Sequence, residues 1–317
     1  MRDLEEERTR WLAERPLFEE FGVIVKDRLK ELLRNAGIYA LVDSRAKTVE
    51  SLIKKLILKP HHSYDSLPDK VGARIVIRYL HEVSNVTAIV GAAFDAKEVD
   101  KKQLAVDRVG YLGVHLDVRL RHNDRDAAAF PPDRFRIEIQ VHTRTQNLWA
   151  DMSHDCSYKT LQAIPDQLHR SVNLLAGLLE VADNEFTRID DAVNQLPGAA
   201  EYRVLRALEP QYFKLSALPG NTELSIAVIH ALLPLYEHPP QDWAAYFANI
   251  FAKHRRELEA VLNTEDPNQS AFLFQPEILL ILDRLRTDPD GLREAWDEHF
   301  PHQELRRLAV KFATSFE

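Results

Sequence analysis

A single cysteine, Cys156, leaves this chain no internal disulfide with which to brace its fold. It also has no second cysteine or His-Glu-x-x-His pattern to join. The triplet His154-Asp155-Cys156 therefore lacks the three or four spaced ligands a zinc site needs. No hydrophobic run approaches membrane length, because the 45% of residues that are hydrophobic are spread through amphipathic segments. The opening MRDLEEERTRW is charged and carries no apolar signal core, so a cytoplasmic protein with no membrane partner is expected. Positive charge is scarce as well. Against 49 acidic residues stand 41 Lys and Arg, giving a net charge of -8, opposite to the basic footprint of extended nucleic-acid binding. Lys26, Lys30 and Arg34 could supply a local patch, but they read more simply as the solvent face of a helix whose other side carries Phe21, Ile24, Leu29 and Leu33.

What is present centres on three segments. Arg134 to Thr143 alternates as a strand, with Phe135, Ile137, Ile139 and Val141 on one face and Arg136, Glu138, Gln140 and His142 on the other. Leu67 to Leu80 sets Asp69 at the mouth of a second strand whose apolar run, Ala73 to Leu80, reads as central. Val42 to Leu56 reads as a helix beginning near Arg45 and Lys47, with Lys55 almost three turns later. Carboxylates for a metal and cations for phosphates are thus both available.

Taken in order, Arg45-x-Lys47-x-x-x-Ser51-x-x-x-Lys55, Asp69-x-x-Gly72-x-Arg74, Gly110-Tyr111 with His115, Glu138-x-Gln140-x-x-Thr143 and Trp149-Ala150 with His154 and Tyr158-Lys159 resemble the synthetase domain of the RelA/SpoT family. The resemblance implies a nucleotidyltransferase-like mixed β-sheet with flanking helices. It also implies a pyrophosphokinase that moves the β,γ-diphosphate of ATP to the 3′-hydroxyl of GDP or GTP, making (p)ppGpp. Such chemistry gathers negative charge on phosphoryl oxygens, so it needs a metal ion, cationic clamps and a positioned hydroxyl more than a covalent nucleophile.

By resemblance Asp69 is the metal ligand; Asp69 and Glu138, on strands that could lie side by side, are the expected catalytic acids and the two carboxylates for Mg2+, whose octahedral shell is completed by phosphate and water oxygens. Glu138 could instead be a general base for the attacking hydroxyl; the residues alone do not separate the two roles. Arg45, Lys47, Lys55 and Arg74 resemble the ATP-binding cations, the arginines offering a planar fork and the lysines point charges. Tyr111 resembles the tyrosine that stacks on the acceptor base, and His115, Gln140, His154 and Lys159 join it on the acceptor side.

Departures from the family pattern gather at the acceptor. The family has Asn two residues before the stacking Tyr and commonly Arg-Ser after it, where this chain has Val109, Leu112 and Gly113. His142 stands in place of an Arg, and Ser153 in place of an acid. Buried polar groups are what reject the wrong base, so the acceptor stays open between a guanosine nucleotide and the substrates of toxin-type relatives, the tRNA 3′ end or adenosine nucleotides. A catalytically inactive nucleotide sensor is a further alternative, against which the paired acids argue. No paired Glu-Asp motif on a His-rich helical domain precedes the synthetase, so alarmone hydrolysis is not expected; no ACT-like or TGS-like pattern follows it.

The layout expected is an N-terminal helix pair, helix Ser44 to Leu58, strand Ala73 to Tyr79, helix Val83 to Phe94, strands Val114 to Leu120 and Phe135 to His142, and helix Thr145 to Tyr158. Residues 1–195 would form the synthetase domain with its flanking helices. Within them, Gln167 to Gln195 bears a helical stripe of Val172, Leu175, Leu179, Ala182 and Phe186, suited to the sheet or to another subunit. Residues 196–317 read as an all-α region broken at its Pro and Gly clusters, a scaffold or a route to a homo-oligomer through its helices. Its aromatic stripe, Trp243, Tyr246, Phe247, Ile250 and Phe251, reads as core.

Overall fold

The computed structural model describes residues 4–67, 69–98, 113–158, 166–196 and 198–312, with the backbone alone at 98, 153–158, 166–169 and 194. It forms two compact units, Met1–Leu33 with Ala40–Ile189, and Arg34–Tyr39 with Asp190–Glu317.

The first unit opens with one helix, α1 (Leu4–Asn35), where the sequence suggests a pair. The chain runs helically past Pro16 because Trp11, Phe18, Phe21, Val25, Leu29 and Leu33 all bury on α1. Each such burial contributes about 2 kcal/mol, against about 3 kcal/mol for an interior proline. Phe18 and Phe21 pack on Phe135 with ring centroids 4.8 and 5.4 Å apart. Gly22 lets the helix approach the sheet, since a Cβ there would lie 2.9 Å from Val71 Cγ2.

The sheet holds β1 (Leu41–Ala46), β2 (Val71–Ile77), β3 (Asp95–Glu98), β4 (Val114–Arg119) and β5 (Ile137–Thr143) in the order β1-β2-β5-β4-β3. The β2–β5 pair is parallel and the other three are antiparallel. Val71, Ala73, Ile75, Ile77, Ile137, Ile139, Val141, Leu116 and Val118 fill the buried side, which leaves the alternate positions for chemistry. After β2 comes α3 (His81–Ala93), and after β5 come α4 (Arg144–Tyr158) and α5 (Asp166–Gln195). Val172, Ala176 and Leu179 of α5 pack with Trp149 of α4, whereas Leu175 and Phe186 are exposed.

A second expectation is corrected here, and one element is added. Residues 42–46, expected to begin a helix, form edge strand β1, and the helix α2 spans only Val49–Leu58. The decision is tertiary: β1 pairs along its whole length with β2, while Thr48 caps α2 by accepting a 3.1 Å hydrogen bond from the Ser51 amide. Replacing Thr48 with Ala is expected to destabilise α2 by about 1 kcal/mol, read as faster amide exchange confined to that helix. The added element is β3, Asp-Ala-Lys-Glu, whose charge hides it in the sequence. An edge strand tolerates such residues because only one side of it is paired.

The second unit is helical, as expected, with α6 (Ala200–Phe213), α7 (Thr222–Leu232), α8 (Trp243–Thr264), α9 (Ile278–Thr287), α10 (Pro289–Asp297) and α11 (His302–Lys311). Their unequal lengths follow no fixed period. Helix α9 is its centre, with Ile278, Leu279, Leu280, Ile281, Leu282 and Leu285 all buried. Phe247 and Phe251 of α8 are buried too, and Trp243 stacks on Phe247 at 5.4 Å, so the aromatic stripe is core. Among the described residues no helix is long and apolar enough to cross a membrane.

Candidate active site

Strand register sets the candidate residues in rows on the half-open face of the sheet. Arg45, Gly72, Glu138, Asp117 and Lys97 are mutual neighbours across the five strands. The next row is Asp43, Arg74, Gln140 and His115. Paired residues share a face, so this face carries both the acid of β5 and the cations of β1 and β2. Arg45 is exposed on β1, not on the helix that bears Lys55, as the sequence suggested.

Asp69 sits just before β2 and meets Lys47, which follows β1, and Lys55 of α2. The Lys47 amide donates to the Lys70 carbonyl at 2.9 Å, which ties the two strand ends together. Lys47 Nζ lies 2.9 Å from Asp69 Oδ2, and Lys55 Nζ donates to that same oxygen. Burial pushes the Asp69 carboxyl up, but the two lysines outweigh it and hold it below the usual carboxylate range. Its other oxygen, Oδ1, is buried with no hydrogen-bond partner among the described residues. A buried carboxylate oxygen without a donor suits a hard cation, so the donor set fits magnesium.

Glu138 is held differently. His115 Nδ1 lies 3.0 Å from Glu138 Oε1, and the Gln140 amide donates to that oxygen at 3.0 Å. The His115 hydrogen bond is the main reason the pKa of its carboxyl is pulled down to about 2, against the effect of burial. The charge of Lys55 lowers Glu138 as well as Asp69. A carboxyl this acidic is a poor proton acceptor near neutrality and a good metal ligand.

Arg74 points to α4, donating to Asn147 Oδ1 at 2.8 Å and Asp151 Oδ1 at 2.6 Å. These two partners were not singled out in the sequence; their spacing of four on one helix face is the signal that could have found them. Asp117, which Arg136 clamps, and Asp183, which accepts from Thr143 Oγ1 at 2.7 Å, were also missed. Asp183 fixes the end of β5 from a helix forty residues on, a contact no local pattern encodes. Tyr111 and Lys159, and the side chain of His154, lie outside the described residues.

Residues 44–163 match the family model described as the region found in RelA / SpoT proteins. That stretch is a RelA/SpoT domain. The RelA/SpoT match is accompanied by two curated relatives from Bacillus subtilis (strain 168). GTP pyrophosphokinase YjbM is 24% identical over 164 residues, covering 50% of this chain and 72% of the relative. GTP pyrophosphokinase YwaC is 24% identical over 158 residues, covering 48% and 73%. The crystal structure of small alarmone synthetase 1 from the same species is similar over 59% of this chain and 99% of that one, with a TM-score of 0.49 and 23% identity. By the family model and the two curated relatives, the RelA/SpoT domain is an enzyme domain of the pyrophosphotransferase kind. It ends before the helical unit.

Proposed function

We propose that this domain transfers the β,γ-diphosphate of ATP to the 3′-hydroxyl of a purine nucleotide, with GDP or GTP as the leading acceptor. The observation that carries the reading is Asp69, one of whose oxygens binds Lys47 and Lys55 while the other is buried without a partner, in one electrostatic cluster with an ionised Glu138. Asp69 and Glu138 would hold magnesium, which when bound supplies charge neutralisation on the phosphate oxygens. Lys47 and Lys55 pass from Asp69 to the ATP phosphates, with Arg45 and Arg74 flanking them. In the transfer the 3′-oxygen bonds to the β-phosphorus, its hydroxyl proton passes to solvent water, the bridge to the α-phosphate breaks, and AMP leaves. Glu138 acts as a metal ligand and not as the base, because His115 and Gln140 stabilise its charged form. Tyr111, His115, Gln140, His154 and Lys159 belong to the acceptor side.

A second reading, in which the acceptor is the tRNA 3′ end or an adenosine nucleotide, is favoured by the uncharged, buried His142 and side-chain-free Gly113 beside the acceptor segment. Purified protein with γ-labelled ATP and magnesium, offered GDP, GTP, adenosine nucleotides or bulk tRNA in parallel, tests both. Label in GDP or GTP with equimolar AMP is the expected result. Label confined to tRNA or adenosine nucleotides would replace the acceptor, and transfer to none of them would overturn the activity.

A further inference from the structure

His142 follows Gln140 on the site face of β5 and is 3% exposed. Among the described residues neither Nδ1 nor Nε2 has a hydrogen-bond partner. Leaving both nitrogens of a buried ring unpaired is costly, and such groups in folded proteins are normally satisfied by protein, water or ligand. Around the ring stand His115, its centroid 5.8 Å away at an interplanar angle of 30°, and the charges of Arg74, Asp151 and Glu138. Burial first, then Arg74 and His115, hold the imidazole down to about 4, so it is uncharged near neutrality. An uncharged imidazole offers one N–H donor and one bare acceptor nitrogen. That pair suits a neutral polar edge and does little for a phosphate.

The space the ring occupies is set by Gly113. A Cβ at that position would lie 2.0 Å from His142 Cδ2, 2.7 Å from its Nε2 and 2.4 Å from the Val141 carbonyl oxygen. No other residue fits at 113 while the imidazole stays where it is. Two departures from the family pattern, 29 positions apart in sequence by subtraction of 113 from 142, are therefore one steric unit. The unit lies away from the metal-binding end: His142 is four residues along β5 from Glu138, about 13 Å at the usual rise per residue. Gly113 directly follows the Gly110–Leu112 segment on the acceptor side.

We infer that His142, seated against Gly113, is a specificity-determining residue that hydrogen-bonds a neutral donor–acceptor edge of the acceptor nucleotide, on its base or ribose and not on its phosphates. This rests on the reading of an acceptor side given above. The test uses the full chain as wild type, His142→Phe, which keeps an aromatic ring and removes both nitrogens, His142→Gln, which restores a donor and an acceptor, and Gly113→Ala, which displaces the ring. Acceptor KM and ATP KM are measured separately, alongside calorimetric binding of GDP, GTP and ADP.

His142→Phe and Gly113→Ala are expected to weaken acceptor binding about tenfold and move ATP KM by less than about twofold, with His142→Gln recovering part of the loss. Unchanged acceptor binding in a folded His142→Phe would overturn the inference while leaving the diphosphate-transfer reading intact. A parallel rise in ATP KM would also overturn it, since a packing role would affect both substrates. If the wild type transfers to no acceptor yet binds a nucleotide through His142, the activity falls and the inference stands; if it binds none of the three, both fall. Should His142→Phe fail to fold, His142→Gln and Gly113→Ala decide: equal acceptor binding in both and in wild type refutes the contact.

Discussion

Asp69→Asn is expected to lower diphosphate transfer by at least about a thousandfold, equivalent to about 4 kcal/mol of transition-state stabilisation. The substitution keeps the side chain's size and removes its charge. It takes away the carboxylate whose Oδ1 is buried without a donor, and leaves Lys47 and Lys55 without the anion they share. Those freed cations give the prediction a second, opposite sign. Without metal, ATP should bind Asp69→Asn more tightly than wild type, because two ammonium groups no longer have an acid to compete with the phosphates. Turnover of γ-labelled ATP and calorimetric ATP binding, each with and without magnesium, read both effects. Activity within about tenfold of wild type would remove Asp69 from the metal site.

Glu277→Gln is expected to stabilise the helical unit by up to about 3 kcal/mol at pH 8.5 and by almost nothing at pH 4. Glu277 precedes α9 and is fully buried, accepting a 2.5 Å hydrogen bond from Ser225 Oγ while its Oε1 has no partner among the described residues. Burial raises its carboxyl from 4.5 to about 7, with the Ser225 hydroxyl offsetting part of the rise. The folded state therefore holds a proton that the unfolded chain releases between pH 4.5 and 7. Stability falls as pH rises through that window, by about 1.4 kcal/mol per unit, and stays low above it. An amide at this position never ionises, so the loss disappears in the variant. Hydrogen exchange at the α9 amides, comparing both proteins at each pH, measures the difference; an equal change at both pH values would show that ionisation of Glu277 is not its source.

The central part of the sheet was legible because β5 alternates in its own residues and β2 carries a largely apolar run. Ile137, Ile139 and Val141 against Glu138 and Gln140 give one buried face and one chemical face before any partner strand is known. Strand β1 was not legible, since Leu41 to Ala46 buries only Val42 and Ala46 and owes its conformation to β2. The motif spacing Arg45, Lys47, Lys55 survived that error. Such spacing sets the order of the cations along the chain, but not whether a helix or a strand carries them.

By itself the sequence determined the family resemblance and proposed the acids and the cations, because motifs depend on residue type and order along one stretch of chain. It also determined the helical character of the second unit, through apolar periodicity and its proline and glycine breaks. Tertiary structure alone decided that Lys47 and Lys55 share one oxygen of Asp69, that Arg74 is held by Asn147 and Asp151, and that Thr143 is anchored by Asp183. It alone joined Gly113 to His142. The physical reason is that charge and hydrophobic pattern belong to a residue, whereas desolvation, hydrogen-bond satisfaction and steric exclusion belong to the groups that folding brings around it.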